Sequence, residues 1–373
     1  MPEIWLPYGP VEVVLNVKAE NLGSVVEAPT DAMSEQAMQD LVQGIPKKSF
    51  VLTDGTNSSL DVLNRLVSSW QVAPKDVVVF TGERATGAAL KRLAHFGYTI
   101  ASDRPSADLG VVDGVLVRAL PRMQDDDSLL ICEARIDPVY GFRGAPSALT
   151  EALGLGPEAV KRWRGEPSPC QDTDPGWFAG RVAEEVKCPH VLEYVRSNGG
   201  MEDAFVGDFA QAHGQAVKLL TEKRQVDAGK SRLLVISPGG EGFDLTLHSS
   251  LAALGNYGEA LGEDPEVVLL AEMAEGLGSA ALRALCDTGV RPESLSHYDG
   301  YEDVMLLKWF KSKAKLHVVS TLPRAILERR LGLSSPASLK QAVEDVEMRH
   351  GWKLKATIVK DGLLTAPRRA QSQ

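Results

Sequence analysis

Four short stretches of the sequence place charged, small polar or glycine residues directly after an apolar run. Acids and bases move protons, guanidinium groups hold anions, and the free N–H groups at the start of a helix bind carboxylates and phosphates. In open α/β sheets such contacts collect beyond the carboxyl ends of the strands. The four candidate segments are TDGTNSS from residue 53, FTGERATG from residue 80, ARIDPVYGFRGAPS from residue 134 and ISPGGEGFD from residue 236.

The first segment combines one acid with three short polar side chains. Asp54 could orient a sugar hydroxyl, and the side chains of Thr56, Asn57 and Ser58 offer donors to a phosphate or a carboxylate. The simpler alternative is a helix cap, because Asp and Thr are preferred just before a helix such as the one predicted from Ser59. One residue can serve both purposes, so we predict ligand contacts from Asp54, Thr56 and Asn57.

Charged residues dominate the second and third segments. Glu83 and Arg84 could act as an acid and an anion clamp, or form only an exposed ion pair at the start of a helix. Arg135 and Arg143 belong to a loop interrupted by Gly and Pro, and two arginines so soon after an apolar strand are unusual in a plain connection. We therefore predict that Arg84, Arg135 and Arg143 hold an anion through guanidinium contacts.

Glycines characterise the fourth segment. Gly239 and Gly240 allow backbone N–H groups to approach a ligand closely, and Asp244 is placed to cap the following helix. The segment lacks the Gly-Lys-Ser/Thr ending of a Walker loop. His248 could face a cleft as a general acid or base, or be an ordinary helix histidine. Glu83 and His248 are thus the two candidate catalytic residues.

Metal sites and hydrolase sites have no signature in the sequence. The seven histidines include no H-E-x-x-H motif, and the four cysteines lie far apart without zinc-ligand spacing. There is no G-x-S-x-G elbow, and a Gly-x-Gly-x-x-Ala match at residues 276–281 is too common a pattern to indicate a dinucleotide site. We predict no metal ligands.

Charge and composition indicate which kinds of molecule the protein is expected to bind. The chain has 373 residues, of which 44% are hydrophobic, and carries a formal net charge of −10. That length and apolar content are enough for two packed domains, and the negative charge disfavours nucleic acid or an anionic membrane as a partner. The N-terminus lacks the features of a signal peptide, so a cytoplasmic protein is expected. A small anion is the expected partner, and a homo-oligomer stays open.

Apolar β-branched runs alternate with amphipathic stretches along the chain, a pattern typical of α/β proteins. We predict helices near 59–70, 85–97, 176–188 and 207–225, and strands near 11–17, 48–54, 75–82, 127–137, 231–240, 315–323 and 353–362. Residues 265–287 read as a strand followed by a helix, and residues 151–177 as a loop-rich segment. A charged break at 226–232 divides the chain into domains 1–228 and 229–373. The prediction is two α/β domains, with mixed or parallel sheets, flanking an interdomain cleft.

The order of short motifs resembles the nickel-dependent lactate racemase family over nearly the whole chain. Those motifs are IWLPYGPVEVVLNV, LTDGTNSS, FTGERATG, LLICEARIDPVYGFRGAPS, GDFAQAHGQAVKLL, ISPGGEGFDLTLHSSLAAL, VVLLAEMAEGLG and ATIVKDG. The resemblance implies two α/β domains around a cleft, a nickel pincer nucleotide derived from nicotinic acid, and racemisation or epimerisation of 2-hydroxy acids through hydride transfer.

The residues with which the family holds its cofactor are not kept. The family's covalent lysine would lie in the third segment, where RGAPSA contains no lysine, and Trp163 stands near the place of the nickel-ligating histidine. The glycine pair Gly239 and Gly240 and the acid Asp244 do match the family pattern. The resemblance therefore implies a nickel pincer nucleotide whose covalent lysine and nickel histidine are missing here.

The family's catalytic positions are also altered. Arg84 stands where the family has one catalytic histidine, and Val139 or Tyr140 occupies the place of the second. Asn57 replaces a ligand-holding arginine, while the family's Gln and Lys on the helix after the glycine pair become Ser249 and Ala252. Since racemisation needs two bases on opposite faces of the substrate, standard racemase catalysis is not expected.

Two classes of function follow from this combination. The cleft could bind a small anion of the 2-hydroxy acid class, or a nucleotide-type cofactor, and perform altered chemistry. Alternatively, the chain is a non-catalytic relative that senses a ligand or assembles with a partner. Arginines at the positions of histidines favour holding an anion over exchanging protons, because Arg stays charged in proteins.

Overall fold

The α/β class is confirmed in a computed structural model, which describes residues 2–81, 87–101, 105–188, 190–351 and 354–368. The strands are β1 (Glu3–Tyr8), β2 (Val11–Asn16), β3 (Leu22–Val26), β4 (Phe50–Thr53), β5 (Val78–Phe80), β6 (Thr99–Ile100), β7 (Ala107–Val112), β8 (Val115–Ala119), β9 (Ser128–Asp137), β10 (Gly141–Arg143), β11 (Val191–Ser197), β12 (Gly200–Gly207), β13 (Gln225–Val226), β14 (Ser231–Ile236), β15 (Leu261–Leu270), β16 (Lys315–Val319), β17 (Ala356–Val359) and β18 (Ala366–Pro367).

The helices are α1 (Glu35–Gly44), α2 (Asn57–Ser69), α3 (Gly87–Phe96), α4 (Ala145–Ala152), α5 (Gly156–Val160), α6 (Asp174–Val186), α7 (Phe209–Lys223), α8 (Leu247–Asn256), α9 (Ala280–Thr288), α10 (Tyr301–Lys313) and α11 (Leu339–His350). The helices predicted near 59–70, 85–97, 176–188 and 207–225 correspond to α2, α3, α6 and α7. None of the helices in the described ranges is long and apolar enough to cross a membrane.

The first sheet has seven strands in the order β12-β11-β9-β4-β5-β6, with β10 paired to β9. Strands β4, β5, β6, β9 and β11 are parallel, whereas β10 and β12 run antiparallel to their neighbours, so the sheet is mixed. The run SLLICEARID in β9 is buried along almost its whole length, as a strand covered on both faces requires. Its carboxyl end carries Arg135 and Asp137 to the edge of the sheet.

The second sheet has five parallel strands in the order β16-β15-β14-β17-β3. The strands of this sheet do not all come from one side of the boundary predicted at residue 228. Strand β3, at residues 22–26, pairs with β17 near the C-terminus. The β1–β2 hairpin also packs on this sheet, where Leu6 and Leu15 share a core with Leu233 and Val235. The first 26 residues are thus built into the sheet formed by the C-terminal part of the chain.

The chain crosses between the two sheets twice. The first crossing runs from the end of β3 to the start of β4, and the second from the end of α7 to the start of β14. At the second crossing, the guanidinium of Arg224 is fully buried and bonds the Glu202 carboxylate and the Arg196 carbonyl. At the first crossing, the buried Asp361 carboxylate accepts the Ala28 N–H at 2.8 Å. Buried polar side chains therefore fix both connections.

Helix α8 packs against the segment that follows β9 in the first sheet. A Cβ added at Gly255 in α8 would lie 2.5 Å from both Cβ and Cγ of Pro138, which follows β9. Only glycine leaves room for this contact, because real Cβ atoms do not approach other atoms so closely. The contact holds the C-terminal end of α8 against the segment that follows β9.

Candidate functional site

A pocket lies where the carboxyl ends of β4, β9 and β11 face the start of α8. Of the candidate residues from the sequence, the pocket brings together Asp54, Thr56, Asn57, Arg135, Arg143 and His248. Glu83 and Arg84 lie outside the described residues. The residues that line the pocket therefore come from three of the four candidate segments. Some of them lie beside the first sheet and others beside the second.

Gly239 and Gly240 are not among the residues that line the pocket. A Cβ at Gly240 would lie 2.8 Å from Pro7 Cβ, so this part of the loop packs against the β1–β2 hairpin, and Gly242 and Phe243 reach the pocket instead. Because φ is +133° at Gly239 and +75° at Gly240, both positions favour glycine for conformational reasons. The prediction that the N–H groups of Gly239 and Gly240 contact a ligand is therefore not supported by the residues that line the pocket.

Asp244 does not cap helix α8. Its buried carboxylate accepts the backbone N–H groups of Gly9 at 2.8 Å and Glu272 at 3.0 Å. The cap is Thr246, whose hydroxyl accepts the Ser249 N–H at 3.2 Å. The expectation of an Asp244 cap was wrong because two other segments, at Gly9 and Glu272, use that acid as their acceptor.

The cap of α2 is Thr56, one of the two alternatives from the sequence. Its hydroxyl accepts the Ser59 N–H at 3.2 Å. Asp54 accepts the Thr56 N–H at 3.1 Å and the Glu133 N–H at 2.8 Å, so it ties the end of β4 to β9. Burial raises the pKa of the Asp54 carboxyl above its ordinary value. The side chain of Asn57 remains on the pocket wall at the first position of the helix.

Arg143 is held by acids of the protein itself. Its Nε lies 2.8 Å from Asp137 Oδ2, one terminal nitrogen lies 2.9 Å from Glu151 Oε1, and Glu302 Oε1 lies 3.7 Å away. Together with Arg135, it holds the pKa of the Asp137 carboxyl below its ordinary value despite burial. A guanidinium neutralised in this way is a poor anion ligand, so the structure gives the predicted role of Arg143 no support.

Arg135 differs from its cross-strand neighbour Arg143 in having an unused donor. The two residues face each other in the β9–β10 hairpin. The Arg135 Nε is buried and has no hydrogen-bond partner, and no ion pair of this guanidinium is found within the described ranges. A buried unmatched donor is costly unless a ligand or solvent satisfies it. Arg135 is therefore the pocket cation best able to accept an anion.

Arg196 at the end of β11 is a pocket residue that the sequence analysis missed. Its Nε donates to Glu133 Oε1 at 3.2 Å and one terminal nitrogen donates to Ser58 Oγ at 2.9 Å. The guanidinium also stacks 3.9 Å from the centroid of the Phe243 ring. These contacts link both sides of the pocket. The signal was present, because VLEYVRS is an apolar run ending in a charged residue, as in the four candidate segments.

Three helices begin at the pocket. Residues at the starts of α2, α4 and α8 line it, including Asn57, Gly144 and Thr246. The N-terminus of a helix carries unpaired N–H groups and the positive end of the helix dipole. Arg135 and Arg196 lie on the same walls, together with the acids Asp54, Glu133, Glu151 and Glu275. An anion would therefore be held locally, at the helix starts and at Arg135, rather than by a uniformly positive pocket.

His248 meets two buried acids at the start of α10. Its Nδ1 lies 2.9 Å from each oxygen of the Asp303 carboxylate, which is 2% exposed, while the imidazole itself is 27% exposed and lines the pocket. A carboxylate oxygen of Glu302 lies within 4.8 Å of both groups. No sequence motif indicates this cluster, because residues 248 and 302–303 lie in separate segments.

The nickel pincer nucleotide of the resembled family does not fit the described residues. Among the residues that the structure describes, no lysine lines the pocket, so the amine needed for the family's covalent link is lacking there, and His248 carries the only imidazole on its walls. Trp163 donates its indole N–H to the Glu166 carbonyl at 2.9 Å and packs against the core, so it offers no ligand atom. No step of chemistry is derived through that cofactor.

Comparison with solved structures identifies the architecture. The lactate racemase apoprotein from Thermoanaerobacterium thermosaccharolyticum matches with a TM-score of 0.75 over 99% of this chain and all of that one, at 16% sequence identity. A protein from Thermotoga maritima matches with a TM-score of 0.57, at 11% identity, over 91% of this chain and 99% of that one. No protein-family model and no curated protein matches the sequence. At these identities the likeness concerns the fold alone, and the chain has a lactate racemase-like fold.

Proposed function

We propose that the protein is a divergent relative of lactate racemase that binds a small carboxylate of the 2-hydroxy acid class in the pocket. The observation that carries this proposal is the buried Arg135 Nε without a partner, in a pocket where three helices begin. The fold extends over the full length of a racemase, which supports a ligand of related chemistry. A carboxylate would accept two N–H bonds from Arg135 side by side.

The neighbouring groups indicate how the rest of such a ligand is recognised. Asn57 at the start of α2 offers an amide beside the anion, and Arg196 is already oriented by Glu133 and Ser58. His248 is the one histidine on the described pocket walls, so it is the candidate for proton exchange with a hydroxyl group. A nucleotide-type cofactor would use the same cations through its phosphates.

The central test replaces Arg135 by alanine. Each charge-assisted contact is worth about 1.5–3 kcal/mol, so the variant should bind the anion roughly ten- to a hundredfold more weakly. Isothermal titration with D-lactate, L-lactate, phosphate and AMP, in buffer containing EDTA, measures the affinities. Arg164→Ala is the matched control, because its side chain is 85% exposed and pairs with Asp174 away from the pocket.

The outcomes separate the two classes of function. Weaker binding of a carboxylate in Arg135→Ala, with Arg164→Ala unchanged, supports the proposal. If AMP alone binds, the pocket holds a nucleotide and the 2-hydroxy acid assignment is wrong. If no anion binds the wild type, or both variants behave alike, the non-catalytic alternative of ligand sensing or assembly takes its place.

A further inference from the structure

The His248, Glu302 and Asp303 side chains form a cluster on the pocket wall that anion binding does not explain. His248 lies in the first turn of α8, and the two acids lie in the first turn of α10. One possible ligand atom from each residue lies within 4.8 Å of the other two. Both carboxylates are nearly fully buried, while the imidazole is partly exposed to the pocket.

The surroundings of Asp303 indicate a missing positive charge. Both of its oxygens lie 2.9 Å from the same atom, His248 Nδ1. A neutral imidazole has at most one N–H, and a carboxylate has about four acceptor positions, so the contact with His248 uses only part of the capacity of this buried group. Burying a carboxylate is costly unless a cation compensates it. Either an imidazolium or a metal ion must supply that charge.

The distances match those between neighbouring ligands of one ion. Two ligand atoms at right angles on an octahedral ion, each bonded at roughly 2.1 Å, lie about 3 Å apart. The separation of 2.9 Å between Nδ1 and each Asp303 oxygen is that of a hydrogen bond and is also compatible with two ligand atoms on one ion. Glu302 is close enough to complete a three-residue face with a small side-chain adjustment.

Arg143 is the nearby positive charge that would repel a cation bound here. It lies 3.7 Å from Glu302 Oε1 but makes shorter contacts with Asp137 at 2.8 Å and Glu151 at 2.9 Å. Its charge is thus directed mainly to those two acids. Asp303 makes no ion pair with an arginine or lysine in the part of the chain that the structure describes.

We propose that His248, Glu302 and Asp303 bind one divalent transition-metal ion. One imidazole with two carboxylates suits a first-row ion such as Mn²⁺ or Zn²⁺ better than a soft ion, which prefers thiolates. The site is distinct in ligands from a nickel pincer site, and it does not require the proposed anion.

Direct metal binding tests the site. Wild-type protein, first treated with EDTA and dialysed, is titrated with MnCl₂ while the free ion is counted by its EPR signal. We expect one ion per chain and a ¹⁴N coupling from the imidazole in pulsed EPR. Asp303→Asn and Glu302→Gln should weaken binding at least about tenfold, since loss of even an outer-shell partner costs 10- to 100-fold. His213→Gln is the control, because its imidazole bonds the buried Glu193 instead.

Three outcomes would overturn the site. They are no bound Mn²⁺ or Zn²⁺ at millimolar concentration, equal binding by Asp303→Asn and His213→Gln, or bound Mn²⁺ without ¹⁴N coupling. The ¹⁴N coupling is measured on the wild-type protein, so this outcome remains decisive even if a variant fails to fold. Since no carboxylate is added here, and anion titrations are performed in EDTA, this site and the proposed function can fail separately.

Discussion

At the scale of single residues, Glu266 shows how one buried acid serves several partners. Its carboxylate is 4% exposed and lies 2.7 Å from His317 Nε2, 2.7 Å from His350 Nε2 and 2.9 Å from Arg349 Nε. Burial alone would raise its pKa, but the hydrogen bonds from Arg349 and the histidines lower the pKa from 4.5 to about 2. The group lies at the start of the second sheet, away from the pocket.

This lowered pKa predicts an acid-dependent loss of stability. The ionised Glu266 stabilises the fold fully above pH 4.5, and the contribution fades as pH falls toward 2, where the folded state also takes up the proton. Glu266→Gln should therefore cost about 3 kcal/mol at pH 7, and the difference from wild type should shrink by pH 3. Urea unfolding at both pH values measures it.

The control for Glu266 is an exposed pair of the same chemistry. Glu293 lies 2.6 Å from Lys308, but both side chains are more than half exposed. Surface pairs contribute about 0–1 kcal/mol, so Glu293→Gln should have little effect at either pH. A constant difference between wild type and Glu266→Gln across the acid range would show that the Glu266 cluster is not the titrating element.

At the scale of elements, the contact of α8 with Pro138 sets a steric limit. Glycine in a helix costs about 1 kcal/mol relative to alanine, so Gly→Ala in a free helix position should stabilise the protein. At Gly255 the added Cβ would lie 2.5 Å from Pro138. Gly255→Ala should instead destabilise by roughly 1–3 kcal/mol, because the packed elements must move apart.

A second helical glycine provides the matched control. A Cβ at Gly214 in α7 meets nothing within 4 Å. Gly214→Ala should therefore raise stability by about 0.5–1 kcal/mol. Thermal and chemical denaturation of both variants compare them directly. Stabilisation by both substitutions would mean that α8 does not press on Pro138 in solution.

The elements were predictable where a local pattern defines them. Buried runs such as β9 and the amphipathic α2 follow from their own residues, and the ends of β4 and β9 predicted Asp54 and Arg135 at the pocket. The partners of each site residue were not predictable. His248 meets Asp303 only through tertiary packing between segments far apart in the sequence. Asp137 and Glu151 are close to Arg143 in the sequence, but their contacts with it depend on how the β9–β10 hairpin and α4 fold together. A single sequence contains no local pattern from which such contacts can be predicted.

At the scale of the whole molecule, the pairing of β3 with β17 predicts which parts can fold alone. In the fragment 229–373, β17 would be the last strand of the sheet, and its edge would be unpaired without β3. The apolar face of the sheet around Leu233 would also be uncovered without residues 1–28. Exposed edges and apolar faces of this kind promote association. We expect the fragment 229–373 to aggregate, and to become soluble and folded when co-expressed with residues 1–28.

Size-exclusion chromatography and circular dichroism of the two preparations test this expectation. A fragment comprising residues 229–373 that is monomeric and cooperatively folded by itself would support the domain boundary predicted at residue 228. Folding only in the presence of residues 1–28 would instead assign the first strands to the second folding unit, despite their position in the sequence.

The two crossings between the sheets have a mechanical consequence. A body tethered at two points keeps one easy motion, rotation about the line that joins them, while translation and other rotations are restrained. Arg224 and Asp361 anchor those pivots in buried polar contacts. We expect any opening of the pocket to be a rotation about this axis, limited on closing by the contact of Gly255 with Pro138.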